Sequence, residues 1–329
     1  MLIFKDLSGR MAVLGLLSAL MLPACAAADI RPDGFKRAPT QAEELQGRQL
    51  LRAAAVAHGE DAYREKSALI ATIDDDWSMA PLPVKFLKPL PGDNLRYRVR
   101  IRPGSKDVAL TFLDGENKGQ VWGLQDGRAF EEEDGKREIL SDATTMESSV
   151  GVIGFLLHAP FMLESAKTVY VLPSAVVDGR RFDRVFLSWG DGDVNENDQF
   201  IAYIDAETRR LSFMEFTARG ANKALVATLR LSDHTAIEGV IVPGAMVLTD
   251  GIGGPPRIHA MKVLEVKAES AETDATASVT AEGESAAFPT SPTKAAARPS
   301  AVPQAQEPDV LSADRTRDLV APASQPSAS

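Results

Sequence analysis

Residues 94–115 read NLRYRVRIRPGSKDVALTFLDG. Arg96, Arg98, Arg100 and Arg102 alternate with Leu95, Tyr97, Val99 and Ile101. A period of two belongs to an extended strand with one face on a core and the other in water. The alternation stops at RPGSKD, resumes through Val108–Phe112 and stops again at Asp114-Gly115. Strand, turn, strand, turn at this spacing predicts antiparallel hairpins.

The same pattern runs outward in both directions. SALIATIDDDW, VKFLKPL, QVWGLQ and RAFEEE are short runs rich in β-branched and aromatic residues, separated by the turn signals PGDN, DGENKG, QDGR and EDGKR. Further on, TVYVLP, RFDRVFLSW, QFIAYID, LSFMEFT, ALVATLRLSD, GVIVPGAMVLT and RIHAMKVLEVKA continue the series. The meander is broken once, at residues 144–164, TTMESSVGVIGFLLHAPFMLE, which carry no Lys or Arg. We read this as a helix buried on the sheet, capped by Thr145 or Ser148 and ended or kinked at Pro160, too early for a membrane span. Upstream, TQAEELQGRQLLRAAAVAHG reads as a second helix. Thr40 and Glu43 form a capping box, Leu45, Leu50, Leu51 and Ala54 an apolar stripe, and Gly59 a stop.

Both ends of the chain differ from this body. Lys5 and Arg10 precede an apolar run, MAVLGLLSALML, that is shorter than the ~20 residues a bilayer needs. Small residues follow, giving the pattern of a secretory signal peptide. Two cuts compete. LPAC, ending in Cys25, resembles a bacterial lipobox, which would acylate that cysteine and tether the chain to a membrane. An ordinary cut after Ala28, at Ala26-Ala27-Ala28, is preferred, because Pro23 departs from the lipobox and suits a helix breaker ahead of the cleavage site. Either cut makes the protein exported and periplasmic. The domains expected are therefore signal peptide 1–28, linker 29–40, folded domain 41–268 and a disordered Ala/Ser/Pro/Thr-rich tail 269–329.

The chain has 329 residues and a formal net charge of −10. That balance argues against nucleic acid and against polybasic attraction to anionic lipid. Cys25 is the one cysteine, so the fold stands on its packed core without an internal disulfide.

Three features together carry a family resemblance. AHGEDAY closes the first helix just before the sheet. FIAYIDAETRRLSFMEF is a strand, a D-x-x-T turn and a strand. DHTAIEGVIVP brings a polar strand end and then Gly-Val-x-x-Pro. In this order they resemble the LolA/LolB-like superfamily of lipoprotein-localisation factors, over roughly Leu45 to Ala268. The resemblance implies an α+β, mainly antiparallel β fold, in which a curved half-barrel sheet is covered by the N-terminal helix and the central apolar helix. It also implies a hydrophobic cavity used to hold acyl chains. The signature arginine that the carriers place near their cavity has no matched counterpart here.

Trp77, Trp122, Phe155, Leu156, Phe161, Met162 and Trp189 are the candidates to line such a cavity; strand tryptophans also serve as plain core. WGDGDVNENDQF places Asp191, Asp193, Asn195 and Asn197 at calcium-loop spacing, but Glu196 and Ala202 stand where an EF-hand needs Gly and Glu, so a polar hairpin turn is the better reading. Asp74 and Asp76 share one side of a strand with Asp75 opposite, and are read as a solvated strand end. His58, His158, His234 and His259 show no metal spacing and read as a helix end, an apolar helix, a strand end and a strand. No cofactor is expected.

The favoured reading is an exported, non-enzymatic protein that buries an apolar ligand, a lipid or an acylated partner, in the half-barrel. The alternative is a structural or adaptor envelope protein with a core filled by its own side chains and an interacting disordered tail. A hydrolase built on Asp74 or Asp191 lacks an activated nucleophile and a complete metal site.

Overall fold

A computed structural model describes residues 27–80, 90–141, 143–190, 196–220, 223–249 and 257–270, with Gly251, Ile252 and Gly254. The leader with Cys25, nearly all of the expected strand VKFLKPL, the residues Asp191, Asp193 and Asn195, and the tail beyond 270 lie outside the described residues.

Among the described residues the first arm of the sheet contains β1 (Lys66–Asp76), β2 (Asn94–Ile101), β3 (Val108–Phe112), β4 (Val121–Gln125), β5 (Arg128–Glu133) and β6 (Lys136–Ile139). The second contains β7 (Thr168–Val177), β8 (Arg180–Ser188), β9 (Phe200–Asp205), β10 (Leu211–Thr217), β11 (Val226–Ser232), β14 (Ala245–Thr249) and β15 (Arg257–Ser270). They form one open 13-stranded sheet in the order β6-β5-β4-β3-β2-β1-β15-β14-β11-β10-β9-β8-β7. All its pairings are antiparallel, and β1 with β15 joins the two arms. Between β11 and β14 the hairpin β12 (Thr235–Ile237) and β13 (Val240–Val242) pairs only with itself. In β2, Leu95, Tyr97, Val99 and Ile101 are buried while the intervening arginines face outward, as the alternation predicts.

Among the described residues three α-helices accompany the sheet: α1 (Gln41–Ala57), α2 (Glu60–Arg64) and α3 (Thr144–Met162). The capping box of α1 is formed: Glu43 N–H donates to Thr40 Oγ1 at 3.3 Å, and Thr40 N–H donates to Glu43 Oε2 at 2.8 Å. Leu51 and Ala54 face the core, but Leu45 is 59% exposed, contrary to the expected stripe. Gly47 sets the buried face. A Cβ there would stand 2.9 Å from the Tyr170 carbonyl carbon of β7, and Leu45 lies about 200° around the helix from it.

Helix α3 begins after Ala143, so neither Thr145 nor Ser148 caps it. It also continues through Pro160 to Met162. Pro160 forfeits one intrahelical bond and crowds the Leu156 carbonyl, which weakens the last turn without ending the helix. Because the helix is not interrupted at Pro160, Met146–Ser165 is long and apolar enough to cross a membrane by length and composition alone; 56% of it is buried inside the fold. Two strand readings also change. Lys136 and Arg137, taken as part of a turn, extend a hairpin into β6, and GVIVPGAMVLT divides at Pro243-Gly244 into β13 and β14.

The sheet is strongly curled. On α3, a Cβ at Gly154 would meet Val108 Cγ2 of β3 at 2.3 Å, and Phe155 packs on Phe200 of β9 with ring centroids 5.9 Å apart. β3 and β9 are seven strand spacings apart, about 34 Å in a flat sheet. A helix about 10–12 Å across reaches both only if the sheet wraps around it. The convex face of β7–β10 carries its own apolar cluster, including Tyr170, Phe186, Ile201 and Phe213. Residues 29–40, read as a linker, contribute to it through Ile30 and Phe35. That strap is also hydrogen-bonded: Ile30 N–H to Gln199 Oε1 at 2.9 Å, and Tyr170 O–H to Phe35 O at 3.1 Å.

Candidate ligand-binding site

The trough of the half-barrel is packed with the chain's own side chains. Val150, Ile153, Leu156 and Leu157 of α3 form one cluster with Val99, Val108 and Leu110 of the first arm and with Val185, Leu187 and Ile204 of the second. Gly154 lets the α3 backbone approach β3 this closely.

The seven cavity candidates do not converge on one place. Leu156 is buried in that cluster, and half-buried Met162 lies in the last turn of α3. Phe155 and Trp189 meet edge to face at 5.7 Å, and half-buried Phe200 and Phe216 complete an aromatic patch with them. Trp189 Nε1–H donates to Ser165 Oγ at 3.1 Å, tying the patch to the end of α3. Trp122 sits on the far arm against Phe112, and its indole N–H donates to Glu131 at 3.2 Å. Phe161 and Trp77 belong to two buried polar groups. Phe200 and Phe216 were not singled out from the sequence; their signal was their place on facing strands, where they are direct cross-strand partners.

The first polar group is built on AHGEDAY. Gly59 adopts a left-handed conformation (φ 81°) between α1 and α2, so that His58, Glu60 and Tyr63 all turn inward. A Cβ at Gly59 would overlap the Gly239 carbonyl at 1.9 Å, so the β12–β13 turn packs directly on this joint. That turn has positive φ at both Glu238 and Gly239, as tight hairpins of this hand require. His58 Nδ1–H donates to Ile241 O at 2.8 Å, and its Nε2 accepts Leu211 N–H at 3.1 Å. Burial pushes the His58 imidazole down to about 4, which keeps it neutral in this role. His234 lies 5.3 Å from it, ring to ring. On α3, His158 is hydrogen-bonded through Nδ1 to the Tyr63 hydroxyl, and Phe161 stacks on the Tyr63 ring at 3.9 Å. Burial pushes His158 down to about 4 and Tyr63 up. Three histidines read as unrelated thus share one joint around Tyr63 and Phe161.

The second group corrects the reading of IDDDW as solvated. Asp75 is 3% exposed on the concave side, where Oδ2 accepts Tyr97 O–H at 2.8 Å and Oδ1 lies 2.5 Å from His259 Nε2. Trp77 stacks on His259. Asp74, on the other face, is half exposed beside Arg96, and Asp76 accepts Ser78 N–H. Among the described residues no group of three or more His, Cys, Asp or Glu side chains could hold a metal ion.

The D-x-x-T turn is formed: Asp205 Oδ1 accepts Thr208 N–H at 2.7 Å and Thr208 Oγ1–H at 3.0 Å. On the convex face a hollow of about 250 Å³ is lined by Glu215, Val226, Ala227, Thr228, Gly251 and Ile252. Burial raises the Glu215 carboxyl, whose Oε2 accepts Tyr203 O–H at 3.1 Å.

No protein-family model matches the sequence. No curated protein matches it significantly. Among solved structures, the chain is similar to a LolA superfamily protein from Nitrosomonas europaea, at 12% identity and a TM-score of 0.44, over 67% of this chain and 92% of that one. It is similar to an outer membrane lipoprotein-sorting protein domain from Vibrio parahaemolyticus at 12% identity and 0.44, over 72% and 98%. It is also similar to a DUF1329 family protein from Desulfovibrio piger at 11% identity and 0.46, over 71% and 96%.

Proposed function

We propose that this chain is an exported, non-enzymatic binding protein whose half-barrel accepts an apolar ligand, a lipid or the acyl chain of a partner, when α3 shifts from the trough. The observation that carries this reading is α3 itself. It is apolar around its whole circumference from Val150 to Met162 apart from His158, yet Val152 is 51% exposed and Phe155, Phe161 and Met162 are only half-buried. An ordinary cover helix presents polar residues to water. One that does not is suited to exchanging its contacts with the sheet for contacts with hydrocarbon. The half-buried patch of Phe155, Trp189, Phe200 and Phe216 beside it is the way in. Each methylene buried there adds about 0.8 kcal/mol, so a single acyl chain is a sufficient ligand.

The test is organic extraction of the purified chain followed by mass spectrometry, with displacement of a fluorescent fatty acid as the second readout. Copurified lipid or saturable displacement is the expected result. Absence of both would turn the assignment toward an envelope adaptor with a permanently filled core, which the packed trough favours as the second reading.

A further inference from the structure

We propose that His158, Tyr63 and Phe161 form an acid-sensitive latch that holds the C-terminal half of α3 closed, and that protonation of His158 releases it. The inference deepens the reading of α3 as a movable roof and rests on it.

The latch joins two elements through one hydrogen bond and one stack. His158 is 2% exposed, and its Nδ1 is engaged by the Tyr63 hydroxyl of α2. Its Nε2 is buried without a partner among the described residues. One turn on, Phe161 lies flat on the same phenol ring, with 6° between the planes. A neutral imidazole tolerates this arrangement whichever nitrogen carries the hydrogen. An imidazolium does not, because it would place a charged Nε2–H among apolar groups with no acceptor.

Among the described residues no carboxylate is placed to compensate. Glu60 of α2 is taken up by Arg52 and Arg64 at 2.7 and 2.5 Å. Glu164, just past α3, faces Arg52 at 3.6 Å. Around the neighbouring His58 and His234, Arg210 adds positive charge and Asp233 acts on His234 alone. The protonated ring is therefore driven out of its site. The helix is already weak there, since Pro160 has no N–H to return to the Leu156 carbonyl. An exported protein meets the pH of its surroundings directly, so the device has an input.

Hydrogen exchange of the purified chain between pH 7.5 and 4, corrected for intrinsic chemistry, tests the latch. Protection of amides 156–159, 161 and 162 is expected to fall as pH drops below about 6.5, the ordinary histidine value, by about tenfold per pH unit for each proton taken up on opening. Amides of β1 and β15, which exchange only by global unfolding, should stay better protected than those of α3 at every pH. His158→Gln should reduce that slope by about one proton. Tyr63→Phe, which keeps the stack, should lower protection of the same amides at pH 7.5 by roughly five- to tenfold. The latch is overturned if α3 protection does not respond to pH, if His158→Gln leaves the slope unchanged, or if β1 and β15 open in step. A fluorescent fatty acid in parallel separates the two readings. Acid opening without binding at any pH removes the ligand and keeps the latch; binding without acid opening does the reverse.

Discussion

The indole of Trp77 lies flat on the imidazole of His259, with 3.9 Å between ring centroids and 15° between the planes. The imidazole in turn meets Asp75, whose other oxygen takes the Tyr97 hydroxyl. Removing the carboxylate leaves the His259 Nε2 unpaired and the Tyr97 hydroxyl with only the weak Met261 Sδ acceptor at 3.8 Å. Asp75→Ala is expected to cost roughly 3 kcal/mol in urea unfolding. Asp74→Ala, one residue away on the exposed face, should stay within about 0.5 kcal/mol. Equal effects at the two positions would refute the buried network.

Gly47→Ala poses two opposed effects. Alanine is the better helix former by about 1 kcal/mol. Its Cβ, however, would stand 2.9 Å from the Tyr170 carbonyl carbon and 3.0 Å from the Val171 nitrogen, both main chain. Backbone in a sheet does not yield as a side chain does, so the clash should win. Thermal unfolding is expected to show net destabilisation of about 1–3 kcal/mol; a stabilised variant would mean that α1 sits farther from β7.

His58 predicts an acid limb of stability. Folded, it titrates near 4 because it is buried; unfolded, near 6.5. The unfolded chain therefore binds the proton first. This contribution is complete above pH 6.5, declines as pH falls toward 4, and is constant below, for a loss of roughly 3 kcal/mol. Urea midpoints measured across that window should follow it, and His58→Asn should flatten its share while lowering stability at pH 7.

Phe155 and Trp189 are predicted to govern ligand uptake without holding up the fold. Both are half-buried and pack on each other. Truncating either to Ala removes about 1.5–3 kcal/mol of apolar contact with a bound chain, a ten- to hundredfold loss in affinity for a fluorescent fatty acid. Trp122→Ala on the far arm should leave that affinity unchanged.

Ala28 bears on maturation. Its N–H donates to Lys223 O at 2.8 Å and its carbonyl accepts Arg219 Nη2–H at 2.5 Å. A cut after Ala28 discards both bonds, whereas a cut before Cys25 keeps them. A chain starting at Asp29 is expected to be roughly 1–2 kcal/mol less stable than one starting at residue 25 with Cys25→Ser. Intact mass of the mature chain distinguishes the two cuts.

What could be read from the sequence was whatever repeats locally. The alternation around Tyr97 and Val99 announces the strands, and the run from Val150 to Phe161 without a Lys, Arg, Asp or Glu announces the roof. Thr40 and Glu43 stand close enough to be read as a pair. The polar groups inside the trough were hidden for the opposite reason. His58 meets Ile241 across 183 residues, and Asp75 meets His259 across 184. Three aspartates in a row look like solvent-facing charge until a partner on a distant strand is placed against the middle one. Leu45 was misassigned because an apolar stripe on a helix leaves open which edge of it a glycine brings closest to the sheet.

The seam between β1 and β15 governs assembly. Lys66 pairs with Ser270 and Asp76 with Ala260, strands from opposite ends of the described chain. Each arm can zip hairpin by hairpin, but the two unite only when the last strand arrives. Closure over so long a stretch is slow, which delays the whole fold. Until then β1 and β14 are raw edges flanking an uncovered greasy surface. A ribosome that stops short of Arg257 would release a chain primed to aggregate.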